Sequence, residues 1–261
     1  MRRWIAFAAS LLLTATFGSA PVLAQSTSSV IHPPRIALLT DKNPHGGGSG
    51  SGFGWASSNW SGYAITGSGL TSVTGTWVVP TVSSSTGSTY SSSWIGIDGF
   101  NNSSLIQTGT EQDFVSGQAV YYAWWEILPA SETVITSITV HPRDVMSASI
   151  APSGTPGMWV ITIADGVQVF TTTRAYSGPQ TSAEWIEEAP SIGGRVATLA
   201  HYGTAKVDPG TAKGASPGLL QSNGGVMIQQ RMQVSTPSLP DSENDGFNVS
   251  YGSSVPASPG S

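Results

Sequence analysis

Residues 71–79 read TSVTGTWVV, and Pro80 follows them. The run is rich in β-branched and aromatic residues, and polar and apolar side chains alternate along it, which is typical of a half-buried β-strand. Proline has no N–H to give to a strand ladder, so the strand is expected to end at Pro80. This stretch sets the pattern that the rest of the chain repeats.

Short runs of the same kind follow along the chain, separated by Gly, Pro, Asp and Ser. Beyond residues 71–79, strands are predicted at residues 91–97, 118–127, 134–141, 145–150, 158–163, 168–173, 184–188, 196–202, 226–234 and 246–251. After the N-terminal segment, no stretch keeps a 3.6-residue apolar period, so helices are not expected. Many short strands with turns between them predict an all-β fold, either a sandwich or a barrel.

The composition excludes several classes of function. The chain of 261 residues has no cysteine, which rules out disulfides, thiol nucleophiles and cysteine-bound zinc. Charged residues make up 10% of it and the formal net charge is −5, so there is no basic footprint for nucleic acid. The surface is expected to be polar but weakly ionised.

The N-terminus has the features of an export signal. Residues 1–24 combine a basic start, a short apolar run and small residues before the expected cleavage point after Ala24, with Ala20 as the second choice. The apolar run is too short to span a bilayer comfortably. We therefore expect a secreted protein that is free of the membrane once the signal is removed.

Residues 25–54 are interpreted as a short propeptide followed by a Gly/Ser linker, and a disordered spacer is the alternative. Three groups in it, Arg35, Lys42 and His45, are expected to lie over acidic groups of the mature domain. One globular domain is predicted over residues 55–252. Residues 253–261 are expected to form a flexible tail.

The familiar hydrolase motifs are missing. There is no His-Glu-x-x-His for zinc, no Gly-x-Ser-x-Gly elbow and no Asp-Thr-Gly or Asp-Ser-Gly. In the predicted mature domain the histidines are His141 and His201, which are far apart in sequence and have no obvious acidic partner. What remains is a set of acids and amides inside apolar strands.

Four such residues are Asp98, Gln107, Glu126 and Glu184, each next to a run of apolar or aromatic residues. An ionised carboxylate is rarely buried without a partner or a task. Taken singly, each has an ordinary structural explanation: a turn residue, a strand end, an outward-facing acid, or one member of a solvated acidic trio with Glu187 and Glu188. Their local context alone does not make them a site.

Taken together, six short segments resemble the glutamic peptidases (eqolisins) and follow the order of that family. The segments are residues 59–63 (NWSGY), 73–80 (VTGTWVVP), 94–99 (WIGIDG), 106–109 (IQTG), 123–126 (AWWE) and 183–186 (AEWI). The resemblance spans roughly residues 58–204 and is fainter from there to residue 251. Fungal members often carry cysteines, which this chain lacks.

The resemblance implies a fold and an activity. The fold would be an antiparallel, lectin-like (concanavalin-like) β-sandwich or jelly roll. The activity would be that of an acid endopeptidase acting on proteins or peptides, as a monomer and without metal or cofactor. Gln107 and Glu184 would be the catalytic pair, and Trp94, Asp98 and Glu126 would line or support the cleft. A removable basic propeptide is also usual in the family.

Amide hydrolysis needs an activated water, an oxyanion stabiliser and a proton for the leaving nitrogen. On this interpretation Glu184 takes a proton from water and passes it on to the leaving amine. Gln107 holds the water and stabilises the oxyanion. The choice of Glu184 rests on the AEWI match, and a contribution from Glu187 or Glu188 stays open.

Two other functions are compatible with the fold class. A lectin-like sandwich rich in Trp can be a carbohydrate-binding module without catalysis. A β-sandwich glycosidase would use two carboxylates, for instance Glu126 and Glu184, and would not need Gln107.

Overall fold

The computed structural model describes residues 29–38 and 52–260. The predicted signal segment and most of the predicted linker lie outside these residues. The described part consists of strands with one short 3₁₀ turn (Gln221–Asn223) and no α-helix. Its first nine strands are β1 (Val30–Ile31), β2 (Trp55–Ser57), β3 (Trp60–Thr66), β4 (Val73–Val78), β5 (Ser92–Ile97), β6 (Ile106–Val115), β7 (Gln118–Ile127), β8 (Thr133–Ile135) and β9 (Val145–Pro152). The other nine are β10 (Met158–Ala164), β11 (Val169–Ala175), β12 (Ser182–Glu188), β13 (Ser191–Ile192), β14 (Arg195–Val196), β15 (Thr204–Ala212), β16 (Gly224–Gln229), β17 (Met232–Pro237) and β18 (Phe247–Tyr251).

Fifteen of the strands form one long, almost entirely antiparallel path that folds over on itself, and β1, β13 and β14 form a separate small sheet. The order of the long path is β11-β10-β9-β4-β15-β18-β17-β16-β3-β12-β5-β6-β7-β8, with β2 added in parallel to β16. Strands β4, β9 and β10 contact β5 and β6 from the other layer, and β12 contacts β4 and β15. Two sheets packed in this way are a β-sandwich, as predicted.

The main core lies between the two layers. Five aromatic or aliphatic side chains at its centre are almost fully buried: Trp77, Ile95, Met146, Ile161 and Trp185. Burial of such apolar area is the chief source of stability in a fold of this kind.

A second apolar cluster covers the opposite face of the layer that contains β3, β12, β5, β6 and β7. Its buried members are Trp55, Trp60, Ala64, Trp94, Leu105, Trp124 and Ile186. Because both faces of this layer are covered, every residue of β12 is buried. The candidate site residues Gln107, Glu126 and Trp94 lie on this second face.

The strand predictions are largely confirmed, with differences where loops intervene. Residues 118–127 form β7 as predicted, but residues 226–234 are divided between β16 and β17 by a turn at Gln230 and Arg231, both of which have positive φ. The strands predicted at residues 134–141 and 196–202 are wrong beyond residues 135 and 196, since the next strands begin at Val145 and Thr204. Strands β3 and β6 were missed because buried polar residues break their apolar pattern, and β15 was missed because Asp208 and Pro209 interrupt its alternation.

The C-terminal residues hold no strand after Tyr251 but contact the domain. The Asn248 side chain donates a hydrogen bond to the Ala257 carbonyl, and the Ser258 hydroxyl donates one to the Leu239 carbonyl. Within the described ranges, no helix is long and apolar enough to cross a membrane.

The packing of Trp185 between the layers generates a stability prediction. A Cβ added at Gly75 would lie 2.6 Å from Cγ2 of Ile95 and 3.1 Å from Cδ1 of Trp185, both buried. We expect Gly75→Ala to lower the free energy of unfolding by about 1–3 kcal/mol, because overpacking displaces both side chains. Gly67 is the matched control, since no atom lies within 4 Å of its added Cβ. Chemical denaturation measures both, and equal stability of the two variants would contradict this packing.

Candidate active site

Strand alternation brings acids and amides from neighbouring strands to one face. In the ladder, Gln107 lies opposite Gly96 on one side and Glu126 on the other. Four residues further along the same strand, Glu111 lies opposite Ser92. Because side chains two and four residues apart point to the same face of a strand, these groups share the face of the second apolar cluster.

Glu188, on β12, is held by three side-chain N–H donors. Its Oε2 accepts from Trp94 Nε1 at 2.8 Å, and its Oε1 accepts from Trp60 Nε1 at 3.2 Å and Asn59 Nδ2 at 3.3 Å. Burial raises the pKa of Glu188, and the hydrogen bond and charge of His32 and the indole donors limit the increase. The result is a buried carboxylate whose lone pairs are held in fixed directions.

Gln107 and Glu126 form a second polar pair. The Gln107 side chain donates from Nε2 to Glu126 Oε2 at 2.6 Å. Its Oε1 accepts no hydrogen bond from any residue in the part of the chain described here. Burial raises the pKa of Glu126 to about 8, opposed by the charge of His32 and reinforced by that of Glu188. Glu126 therefore carries a proton in acid.

The N-terminal segment lies across this face with its backbone bound to both pairs. The His32 N–H donates to Glu126 Oε2 at 3.1 Å, and the His32 carbonyl accepts from Gln107 Nε2 at 2.8 Å. The next carbonyl, of Pro33, accepts from Trp60 Nε1 at 3.2 Å, the same donor that serves Glu188. The carbonyl of His32 is therefore bound by Gln107 itself, and the carbonyl of Pro33 is bound by an indole that also donates to Glu188.

The His32 side chain is fully buried in a slot formed by Trp124, Glu111, Glu132 and Glu188. Its ring stacks on Trp124 with centroids 3.7 Å apart and planes 3° from parallel. Nδ1 lies 3.1 Å from Glu188, and Nε2 lies 3.1 Å from Glu132 and 3.4 Å from Glu111. Burial by itself lowers the pKa of His32, but the hydrogen bonds with Glu132 and Glu188 and the surrounding carboxylates raise it well above its ordinary value.

The flanking residues of the segment are bound by backbone hydrogen bonds, as an added strand would be. The Glu132 N–H donates to the Val30 carbonyl at 3.3 Å, and the Ser58 N–H donates to the Ile36 carbonyl at 3.1 Å. Val30 also pairs with Ile192. The segment is therefore extended and held along most of its length.

Of the three groups expected to lie over acids, Lys42 and His45 fall outside the described residues. Arg35 instead lies with its guanidinium carbon 4.1 Å from the ring centroid of Phe100 and donates from Nε to the Phe100 carbonyl. The residue of this segment that meets the carboxylates is His32. Nothing in the local sequence distinguished it from His45.

Glu184 lies further along β12, toward the Asp98 end. It is opposite Gly96 in the ladder, which separates it from Gln107. The Trp94 ring covers Gly96, since a Cβ added there would be 2.9 Å from Trp94 Cζ3. Burial raises the pKa of Glu184 well above its usual range, and nearby Asp98 adds to the increase. No hydrogen bond of the described structure joins Glu184 to the N-terminal segment.

Asp98 organises the loop before β12. Its carboxylate accepts from the Tyr176 hydroxyl at 2.6 Å and from the backbone N–H groups of Gln180 and Thr181 at 2.9 and 2.8 Å. Its own φ is 72°, a left-handed conformation that suits a turn. Asp98 thus fixes the backbone of the loop that leads into β12.

Of the five residues predicted for the site, Gln107, Glu126 and Trp94 come together around the bound segment. Glu184 and Asp98 neighbour each other on the same layer, and the hydrogen bonds that hold the described part of that segment go to other residues. The sequence did not single out Glu111, Glu132 and Trp124. Alternation along β6 could have indicated Glu111, which is four residues after Gln107 and so on the same face.

Two groups of side chains in the described ranges have the spacing of a cation site. One is His32, Glu111 and Glu132, whose proximity is explained by the ion pairs of His32. The other is an acidic cluster on the far layer, Asp208, Asp241 and Asp245, and Lys206 pairs with its first member at 3.0 Å.

Comparisons with known proteins agree on one family. The model of the peptidase A4 family matches residues 58–251. Aspergillopepsin-2 of Aspergillus niger is 30% identical over 75% of this chain and 78% of its own length. Scytalido-glutamic peptidase, solved with a transition-state analogue inhibitor, superposes with a TM-score of 0.63 at 20% identity, over 74% of this chain and 98% of its own. An eqolisin-family peptidase solved with the tripeptide Ala-Ile-His gives 0.56 at 20% identity, with the same coverage.

The buried acids generate a prediction about pH and stability. Burial raises the pKa of Glu126 and Glu187 to about 8 and that of Asp113 to about 7. Between their ordinary values and these pKa values the folded state holds protons that the unfolded state has lost, so the free energy of unfolding falls as pH rises. The raised pKa of His32 acts in the same direction.

We therefore expect the full chain to be most stable in acid and to lose stability between about pH 4 and 8, by at most about 1.4 kcal/mol per pH unit for each group. Thermal unfolding at a series of pH values measures this. Glu187→Gln should flatten the slope, and exposed Glu243→Gln should leave it unchanged. A stability that rose toward pH 8 would contradict the buried, protonated state of these acids.

Proposed function

The chain belongs to the peptidase A4 family, whose members are glutamic peptidases, and on that premise we propose that it is an acid-acting endopeptidase that works through Gln107 and Glu188. The family establishes that the chain is an enzyme that hydrolyses peptide bonds. The catalytic pair is our proposal. One observation supports this pair: His32 forms a hydrogen bond with Gln107 through its carbonyl and with Glu188 through its ring.

Glu184, favoured by the sequence motif, is the second candidate for the carboxylate. It shares a face with Glu188, but the Trp94 ring lies over the residue that separates it from Gln107. Glu188 is next to the peptide instead, since its Oε1 and the Pro33 carbonyl share the donors Trp60 and Asn59. A general base must come within reach of the water that attacks the carbonyl, and proximity favours Glu188.

The proposed reaction needs no group beyond these side chains. Glu188 takes a proton from water, and the resulting hydroxide attacks the carbonyl carbon. Nε2 of Gln107 donates a hydrogen bond to the developing oxyanion, and Oε1 accepts one from the water. Glu188 then passes its proton to the leaving nitrogen as the C–N bond breaks. The amide of Gln107 is neutral at every working pH, so it stabilises the oxyanion without a protonation step.

Glu126 sets an upper limit to the pH range of turnover. With a pKa of about 8 it is neutral at low pH, and it lies 2.6 Å from the amide that receives the oxyanion. As pH rises through that value, Glu126 becomes charged and repels the oxyanion, so turnover falls. The glycosidase alternative, which would pair Glu126 with Glu184 and dispense with Gln107, gains no support from this arrangement. We do not retain the alternative of a non-catalytic carbohydrate-binding module, because the chain belongs to a family of peptidases.

We also propose that residues 29–38 are an inhibitory propeptide that occupies the cleft as a substrate would. The segment is extended, is paired through its backbone and presents carbonyls to Gln107 and to the donors around Glu188. Its residues 31 and 32 are Ile-His, the same pair that ends the tripeptide bound to an eqolisin relative. Removal of this segment would be the activating event.

The sequence of the segment explains why it would resist hydrolysis while bound in the site. The carbonyls of His32 and Pro33 are both followed by proline nitrogens, those of Pro33 and Pro34. A proline nitrogen carries a ring carbon in place of hydrogen, and its ring restricts the preceding residue as well. The bulk and rigidity at the leaving nitrogen would hinder hydrolysis, so the segment binds without being cut.

The rest of the expected organisation accompanies this proposal. Residues 1–24 would direct secretion and be removed, residues 55–252 would be the monomeric mature enzyme, and residues 253–261 its tail. Substrates would be proteins or peptides, with no metal or cofactor taking part and no binding of nucleic acid or membrane.

The catalytic assignment is tested in the full chain carrying His32→Ala, which removes the imidazole contacts of the segment and so lets a substrate compete with it for the site. With a denatured protein substrate near pH 4, we expect Glu188→Gln to lower kcat by about 10³ and Gln107→Glu by about 10², because they remove the base and the neutral donor. Glu184→Gln should stay within about tenfold of the parent.

Exposed Glu243→Gln is the control for charge, and circular dichroism confirms folding of each variant. If Glu184→Gln were inactive while Glu188→Gln kept turnover, the base would be Glu184. If no variant, including the parent, cleaved the substrate, the endopeptidase proposal would fail.

The inhibitory segment is tested by the double substitution Pro33→Ala and Pro34→Ala in the full chain. With secondary amides in both positions, we expect self-cleavage after residue 32 or 33 in acid, detected by mass spectrometry of the products. Wild type should remain uncut there over the same time. Adding Glu188→Gln should abolish the cut. Absence of the cut in a double variant that still digests added substrate would count against the substrate-like position.

A further inference from the structure

A row of polar side chains crosses the interior of the sandwich, on the face of the layer opposite to the cleft. In the strand ladder Glu187 lies opposite Ser61 of β3 and Ser93 of β5, and Ser93 lies opposite Thr110 of β6. Residues directly opposite each other in neighbouring strands point to the same face, so these four side chains form one continuous row. All four are buried, and the row lies among the apolar side chains of the main core.

Glu187 is the member of the row whose hydrogen bonding is incomplete. Its Oε2 lies 2.6 Å from the Ser93 hydroxyl. Its Oε1 accepts no hydrogen bond from the part of the chain that the structure describes, and no ion pair found there includes Glu187. By contrast, the Thr110 hydroxyl accepts from Nε1 of Trp77, which belongs to the other layer, at 3.0 Å. One hydroxyl donor does not balance a buried negative charge.

The groups that face Glu187 bring no positive charge. Burial raises its pKa to about 8, the hydrogen bond with Ser93 opposes the increase, and the charge of Glu188 on the same strand adds to it. From the segment before β15 comes Tyr202, whose pKa is raised by burial and also by the charge of Glu187. The neighbours from β3, β5 and β6 are the hydroxyl groups of the row and the amide of Gln112, which do not titrate.

The other side of this region is closed by side chains that follow the cleft layer in sequence. The Tyr202 hydroxyl forms a hydrogen bond of 2.6 Å with Oγ of Ser235 on β17, and both residues are buried. When Glu187 is ionised, water is what can solvate it, because the described part of the core offers no cation. Strand β12 is paired with β3 and β5, so Glu187 cannot leave its layer. Water reaches it if the packing around Tyr202 and Ser235 opens.

We propose that Glu187 is an acid-dependent latch: in its neutral form the sandwich is closed over the polar row, and in its ionised form the sandwich opens to water at Tyr202 and Ser235 while the rest of the core stays packed. The inference goes beyond the proposed function, because it concerns the fold and does not depend on which glutamate is catalytic. It gives the chain a second reason to work in acid, separate from the charge of Glu126.

The test uses introduced thiols, since the chain has no cysteine of its own. Ser235→Cys places one thiol at a fully buried position beside Tyr202, and Ser254→Cys places one on the exposed surface. Each full-length variant is labelled with a maleimide from about pH 6 to about pH 9. The labelling rate at position 235 is divided by that at position 254, which removes the intrinsic effect of pH on a thiol.

We expect this ratio to rise about tenfold or more over the range, because Glu187 becomes ionised within it. Glu187→Gln keeps the shape but cannot ionise, so in that background the ratio should change by about threefold or less. Exposed Glu243→Gln is the matched control and should leave the rise intact. A ratio that does not rise with pH, or that rises equally in Glu187→Gln, would overturn the latch. Should Glu187→Gln not fold, as judged by circular dichroism, Glu187→Met is the second variant without a titratable group.

A third thiol distinguishes local opening from unfolding of the whole domain. Ala148 lies on β9 in the main core, and Ala148→Cys should stay protected from the maleimide over the same pH range. Labelling of Ala148→Cys in step with Ser235→Cys would mean that the domain unfolds as a whole, which would overturn the proposal. None of these measurements requires turnover, so the latch and the peptidase assignment fail or stand separately.

Discussion

The structure depends on the burial of several carboxylates in a sheet that is covered on both faces. Burying a charge without partners is so unfavourable that such groups either find donors or keep their protons. Glu188 has donors in two indoles and an asparagine, whereas Glu126 and Glu187 respond with a pKa of about 8. Tryptophan serves this site well because it excludes water with its ring and donates with its N–H.

Strand β12 contains three of these buried acids, Glu184, Glu187 and Glu188. It lies between β3 and β5, so its backbone is paired on both sides, and all of its residues are buried. Alternation sends Glu184 and Glu188 to the cleft face and Glu187 to the interior between the layers, where the Ser93 hydroxyl donates to it at 2.6 Å. One strand therefore contributes acids to two different environments. The central position gives rigidity, which a catalytic group needs in order to hold its geometry.

The N-terminal segment completes the electrostatics of the cleft. A single residue, His32, brings an imidazole to three carboxylates and its N–H to a fourth. The segment thereby brings a protonatable ring to a face that is rich in buried acids. Under the proposed function, inhibition and substrate binding would use one set of contacts, since the groups proposed to bind a substrate are those that bind the segment.

The sequence by itself determined the all-β class and most strand positions, and it singled out Gln107 and Glu126 as polar residues beside apolar runs. It could do so because alternation and turn residues are local, and because a polar residue inside an apolar strand is visible in one dimension. The tertiary structure decided that Glu188, and not Glu184, is hydrogen-bonded to the same residue, His32, that Gln107 binds. It also decided that His32 fills the slot and that Glu111 and Glu132 surround it. These residues come from segments about 20 to 100 positions apart, and their meeting depends on strand order and register, which local sequence patterns do not encode.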